Sequence, residues 1–300
     1  MFVTRHVTQK EGGVLKPGVF VNIYQQKDQL GIESCGRKIV VSRYGGRITE
    51  FSFNGINALL SSGIQTGSTF WPSPQSLWGW PPPATLDAAP YRVLECQKSL
   101  LSLESALEES LGITLVKKIM PVSDGFTVHY SLKNQTHEVV TMAPWEISRV
   151  SGGLTFYESR FAPEKFSTCG IDRIGDCFWY DYHVTQLTGI PKIFANNTAG
   201  WLANVANGHL FLKTFPQVNS LEVAPMEAEV EIYAHADPLN PYVEIEQQGP
   251  FKAIMPGMSL NWSVDWRLFK LPRDVKVVKG SSDLLQFVNT QLGMALSAAV

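Results

Sequence analysis

The segment Leu30–Phe53 reads LGIESCGRKIVVSRYGGRITEFSF, short half-apolar runs broken at Cys35-Gly36 and again at Gly45-Gly46. Runs of this length, rich in β-branched residues and bounded by turn formers, predict a strand, a turn, a second strand over Lys38–Ser42, a break and a third strand. Asn54-Gly55 follows at once and offers the two left-handed residues that a two-residue hairpin needs. The same pattern recurs along the chain. Ser123-Asp124-Gly125 separates ITLVKKIMPV from FTVHYSLKN, and Asn207-Gly208 separates GWLANV from HLFLKTF. Strands punctuated at intervals of roughly ten residues define an all-β protein.

Two segments carry a helical period. In SLLSLESALEESL, Leu100, Leu103, Leu107 and Leu111 fit one helix face, but strands on both sides favour two strands flanking a turn. Near the C-terminus, Leu284, Leu285, Val288, Leu292 and Leu296 share a face behind Ser281 or Ser282, so an amphipathic helix is expected over about 281–297, covering an apolar patch. The polar residues Gln286, Asn289 and Gln291 argue against a membrane span. No repeat or low-complexity linker divides the 300 residues, which are expected to form a single domain over 1–300 with its core at about 18–272.

The hydrophobic share of 44% and charged share of 17% are those of a globular chain, and 25 basic against 27 acidic residues give a net charge of −2. That balance argues against nucleic acid as a partner. The start, MFVTRHVTQK, has no apolar stretch of the secretory type, and no apolar run reaches about 18 residues, so a cytoplasmic protein with no membrane partner is expected. Cys35, Cys96, Cys169 and Cys177 have neither redox-pair nor zinc-site spacing and read as reduced structural thiols. Asp172, Asp176 and Asp181 lack the glycine of a calcium loop, and the Gly-Gly pairs read as turns. No metal and no cofactor are expected.

Three segments do not read as plain scaffold. Thr69–Pro83, TFWPSPQSLWGWPPP, holds three of the eight tryptophans and five prolines. Proline removes backbone donors, so the segment is expected to be a rigid extended loop rather than a central strand. Its Trp71, Trp78 and Trp80 suit the C–H face of a sugar, with Gln75 and Asp87 as partners for hydroxyls; plugging one end of a barrel or forming a protein interface are the alternatives. In MAPWEISRVSGG, strand alternation puts Ala143, Trp145, Ile147 and Arg149 on one face and Glu146 with Ser148 on the other. In PYVEIEQQGPF, Val243 and Ile245 face the core while Tyr242, Glu244 and Glu246 share the opposite face. Carboxylates two residues apart on a strand lie roughly 7 Å apart, close enough to raise one pKa in a cleft.

In this order, GGRITEFSFNGINALL, WPSPQSLWGWPPP, APWEISRV and YVEIEQQGPFKAIMPGMSLNWSVDWRL resemble the galactose mutarotase-like superfamily, in particular a bacterial branch of it rather than the true aldose 1-epimerases. The resemblance spans most of Gly31–Leu271 and implies an antiparallel two-layer β-supersandwich whose concave face holds a sugar. It also implies that Glu246 is the general base of ring opening. Where the epimerases carry an Asn-His-x-Tyr strand, Met142-Ala143-Pro144-Trp145 stands here, so Ala143 occupies the place of the catalytic histidine. None of the six histidines sits in a matching motif, and His183, beside Asp181, is the most interesting replacement.

Binding does not depend on that acid, so the expected function is carbohydrate binding with weak or altered aldose 1-epimerase-type activity. Glu246 is the candidate catalytic residue; Arg47, Trp71, Gln75, Trp78, Trp145, Arg149, Lys192 and Glu244 are the candidate sugar-binding residues. One alternative is an active sugar epimerase or mutarotase with a relocated acid, in which Arg47, Arg149 or Lys192 clamps a carboxylate or phosphate. Another is a non-enzymatic interaction module, with a homodimer as the expected assembly.

Overall fold

A computed structural model describes residues 21–63, 65–97, 99–160, 165–166, 170–187 and 191–298, with side chains to 293 at the C-terminal end. Met1–Lys10, the proposed core boundary at residue 18 and Cys169 lie outside the described residues. The turn formers act where the sequence puts them. Cys35 and Gly36, Asn54 and Gly55, and Asn207 and Gly208 all have positive φ, and each pair joins two antiparallel strands. Ser99–Leu111 contributes one strand, Leu100–Glu104, which pairs with Ile113–Val122; no helix forms there, and in place of the expected second strand Glu108 makes an isolated bridge to Ile113 before a turn.

The strands form two antiparallel sheets. One, of twelve strands, runs in the order Val21–Gln26, Gln29–Ser34, Arg37–Ser42, Ile48–Phe53, Ser68–Ser73, Val140–Val150, Val243–Gln248, Val230–Ala234, Lys192–Ala195 and Lys165–Phe166, with two short strands off this path. The other, of ten, has Leu154–Glu158, Trp201–Ala206, His209–Thr214, Ser259–Lys270 and Gly125–Asn134 at its centre. The inner faces meet in one core that includes Leu30, Ile32, Phe51, Phe126, Ile232, Ile245 and Trp266. Within it, Glu146 accepts hydrogen bonds from Tyr130, Gln247, Trp266 and Lys213, tying the sheets together through buried polar groups.

Thr69–Pro83 is corrected by this arrangement. Its first residues form the interior strand Ser68–Ser73, and only Pro74 onward is loop. The two prolines fit because Pro72 stands opposite Pro144. Neither has an N–H, so this is a pair between which the antiparallel ladder makes no hydrogen bond. On its other side the strand pairs with Ile48–Phe53 only at Ser68, so Pro72 deprives no neighbour of a donor.

The C-terminal helix, Ser282–Ala298, is capped by Ser281, whose Oγ accepts from the Leu284 amide at 3.2 Å. Leu284 and Val288 are buried against Leu154, Trp179, Trp201 and Leu212, residues on the outer face of the ten-stranded sheet. The expected apolar patch under the helix is present.

Candidate functional site

The outer face of the twelve-stranded sheet is the unusual one. Strand alternation sends Val230, Ile232, Val243 and Ile245 into the core and leaves Glu231, Tyr233, Glu244 and Glu246 outward. Register then assembles rows across strands far apart in sequence. Thr69, Ile147, Glu246, Glu231 and Phe194 form one row, and Arg149, Glu244, Tyr233 and Lys192 the next. Trp71, Trp145 and Gln248 lie on the other side of the first row.

Glu246 and Glu231 are fully buried at the centre of this face. Trp145 Nε1 donates to Glu246 Oε2 at 2.9 Å, and Lys192 Nζ stands 2.6 Å from Glu231 Oε2 and 3.4 Å from Glu246 Oε2. Glu231 Oε1 also accepts from the Ala228 amide and from Gln248, whose own oxygen accepts from Ser73. Burial pushes both carboxyls well above the usual range; Lys192 opposes the shift, and the neighbouring carboxylates add to it. Burial alone would lower Lys192, but Glu246, Glu231 and Glu244 outweigh it and hold the ammonium charged. One lysine cannot neutralise two buried carboxylates, so the group retains a proton near neutrality.

A tryptophan wall adjoins this cluster. Trp71, Trp78 and Trp145 meet at centroid distances of 5.6–6.4 Å, and Lys192 lies 5.2 Å from the Trp145 ring. Trp80 extends the wall outward, 6.3 Å from Trp71 and 64% exposed. The cluster reaches solvent at Lys192 and Glu244, whose side chains are 18% and 16% exposed. Glu246 itself is sealed behind Trp145 and Lys192.

Of the residues singled out in the sequence, Trp71, Trp78, Trp145, Arg149, Lys192, Glu244 and Glu246 are brought together here. Arg149 is buried, 2.9 Å from Glu244 and 5.6 Å from the Trp71 ring. Arg47 is held by Asp87, which also accepts from Trp71 Nε1. Gln75 sits on the loop beyond the wall, its backbone amide donating to Glu227. Ala143 stands opposite Ser73 and contributes no titratable group. His183 is half exposed and paired with Asp181, while His129 and His209 bond to Ser263 and to the Asn207 carbonyl. His235 extends the outward row, stacking on Tyr242 at 4.6 Å and contacting Tyr233 Oη at 3.2 Å. Glu231, Tyr233 and His235 were not identified from sequence, although EVEIYAH alternates in the same way as VEIEQ.

These observations define an antiparallel β-supersandwich with an aromatic and acidic outer face. Solved structures similar to it in fold include three bacterial ones. A galactose mutarotase-like protein from Lactobacillus casei superposes with a TM-score of 0.60 at 10% identity, over 80% of this chain and 100% of the other. A galactose mutarotase related enzyme from Lactobacillus acidophilus gives 0.56 at 9% identity over 86% and 100%. A galactose mutarotase-like protein from Clostridium acetobutylicum gives 0.52 at 10% over 84% and 99%. The protein therefore has the galactose mutarotase-like fold. A family model described as a domain of unknown function, DUF4380, matches residues 180–269, which include Lys192, Glu231, Glu244 and Glu246. No curated protein sequence matches the chain.

Proposed function

We propose that the protein binds an uncharged sugar on the outer face of the twelve-stranded sheet. The observation that carries this reading is the continuity of the tryptophan wall with the Glu231–Lys192–Glu246 cluster: an apolar stacking surface beside fixed donors and acceptors is what a pyranose ring requires. Trp78 and Trp80 offer the aromatic faces, and Lys192, Glu244 and Tyr233 meet hydroxyls where the cluster opens. The ligand is uncharged because the cations are already paired, Arg47 with Asp87, Arg149 with Glu244 and Lys192 with Glu231 and Glu246. An anionic sugar would have to displace a carboxylate from one of them.

A second reading, ring opening with a relocated acid, is favoured by the retained proton and by Tyr233 and His235 at the exposed edge. General acid–base groups contribute roughly 10²–10⁴-fold each, so the two readings differ by a measurable rate. Thermal shift across neutral, phosphorylated and acidic sugars, followed by anomer-exchange NMR, tests both. A neutral sugar at 100 times its Kd stabilises the protein by about 2.7 kcal/mol. A shift without accelerated exchange supports binding alone, and a shift with it supports the enzyme. Silence across the panel, or a response confined to anionic sugars, overturns the proposal.

A further inference from the structure

The buried carboxyl pair holds one proton, and the hydrogen bonds around it say where. Glu231 accepts two N–H groups on Oε1, the Ala228 amide at 2.9 Å and Gln248 Nε2 at 2.8 Å, and its Oε2 forms the closer ion pair with Lys192 Nζ at 2.6 Å, without hydrogen-bond geometry. A carboxylate that accepts two or three N–H groups is held ionised. Glu246 is held less closely. Its Oε2 receives Trp145 at 2.9 Å and Lys192 at the longer 3.4 Å, and its Oε1 is buried with no hydrogen-bond partner among the described residues. A buried oxygen without a partner costs far more when charged than when neutral.

The other charged and titratable groups do not reverse this. Glu244, next outward on the same strand, is taken up by Arg149. Glu227 and Tyr233 add no positive charge, and Lys213 approaches from the inner face, where it is bound to Glu146 and Ser148. Burial displaces both carboxyls upward, so it favours a proton on the pair without choosing between them; the hydrogen bonds make that choice.

We propose that the proton sits on Glu246 Oε1, so that the chain presents a neutral carboxyl, a hydrogen-bond donor, at the position where the mutarotase-like pattern has a base. Glu231 and Lys192 form the ionised pair beside it, and Gln248 acts as the positioning residue that keeps Glu231 charged. For a ligand, the consequence is that the face opening at Lys192 and Glu244 is backed by a neutral carboxyl, so Glu246 does not serve as a base toward a bound sugar. That consequence rests on the sugar-binding reading, whereas the protonation state does not.

Infrared difference spectroscopy of the unliganded protein in D₂O at pH 7 tests the protonation directly, with Glu246→Gln and Glu231→Gln compared by thermal melting. The wild type is expected to show a protonated-carboxyl C=O band that Glu246→Gln removes. Because glutamine copies a neutral carboxyl, Glu246→Gln should melt close to wild type, while Glu231→Gln, which forces charge onto Glu246, should melt several degrees lower. Either melting result stands alone if the other variant does not fold. Absence of the band in wild type, its persistence in Glu246→Gln, or the reverse order of melting temperatures overturns the assignment. All three readouts are independent of whether any sugar binds.

Discussion

Lys192→Met removes the single cation, among the described residues, within ion-pairing distance of two fully buried carboxyls. Breaking a buried ion pair from one side costs about 3–5 kcal/mol, because the remaining charge is left uncompensated. Here the loss should depend on pH. In the variant, neither Glu231 nor Glu246 can be ionised without a counterion, so the folded chain holds two protons where the wild type holds one. In the unfolded chain both carboxyls ionise above about pH 4.3. Folding then takes up one more proton in the variant than in wild type, and stability falls more steeply as pH rises. The extra slope is about 1.4 kcal/mol per pH unit. The variant should be about 1 kcal/mol less stable than wild type at pH 5 and at least about 3 kcal/mol less stable at pH 7. Urea denaturation of both proteins at pH 5, 6, 7 and 8 measures the difference. An equal loss at every pH, or one below about 1 kcal/mol at pH 8, would refute the account of the cluster as one cation sharing two carboxyls.

Lys117 is fully buried between the sheets, its Nζ donating to the Gly46 carbonyl at 2.6 Å, and burial pulls it down to about 7. The unfolded chain therefore binds the extra proton between about pH 7 and 10.4, and stability rises with pH across that window. Lys117→Met should raise stability by about 1–3 kcal/mol at pH 7, after allowing for the orphaned carbonyl, with no gain left at pH 10; denaturant midpoints at the two pH values check this. Leu284→Ala, on the C-terminal helix, should cost about 2–5 kcal/mol in thermal or urea unfolding. It should leave any sugar-induced shift in place, because the helix packs on the other sheet.

Much of the sandwich was legible because its determinants are local. The Cys35-Gly36, Asn54-Gly55 and Asn207-Gly208 turns need only two residues that tolerate positive φ, and alternation alone assigned Trp145 and Arg149 to one face and Glu146 to the other. The proline-rich segment misled for a related reason. Proline lacks a ladder donor and so argues against an interior strand, but Pro72 is accommodated by Pro144 across the ladder, a partner 72 residues away. Glu231 and His235 were missed although their alternation was visible, because nothing local told them apart from the polar face of any exposed strand.

The sequence by itself determined which side of each strand is apolar and where the chain turns, and it singled out Glu246, Trp145 and Lys192 as candidates. Only the tertiary structure decided that Trp71, Trp145, Lys192, Glu231 and Glu246 meet, since they lie on five strands joined by cross-strand register. It also decided their charges: a carboxyl's proton depends on how many N–H groups reach it and how much water is excluded, and both are properties of the assembled sheet.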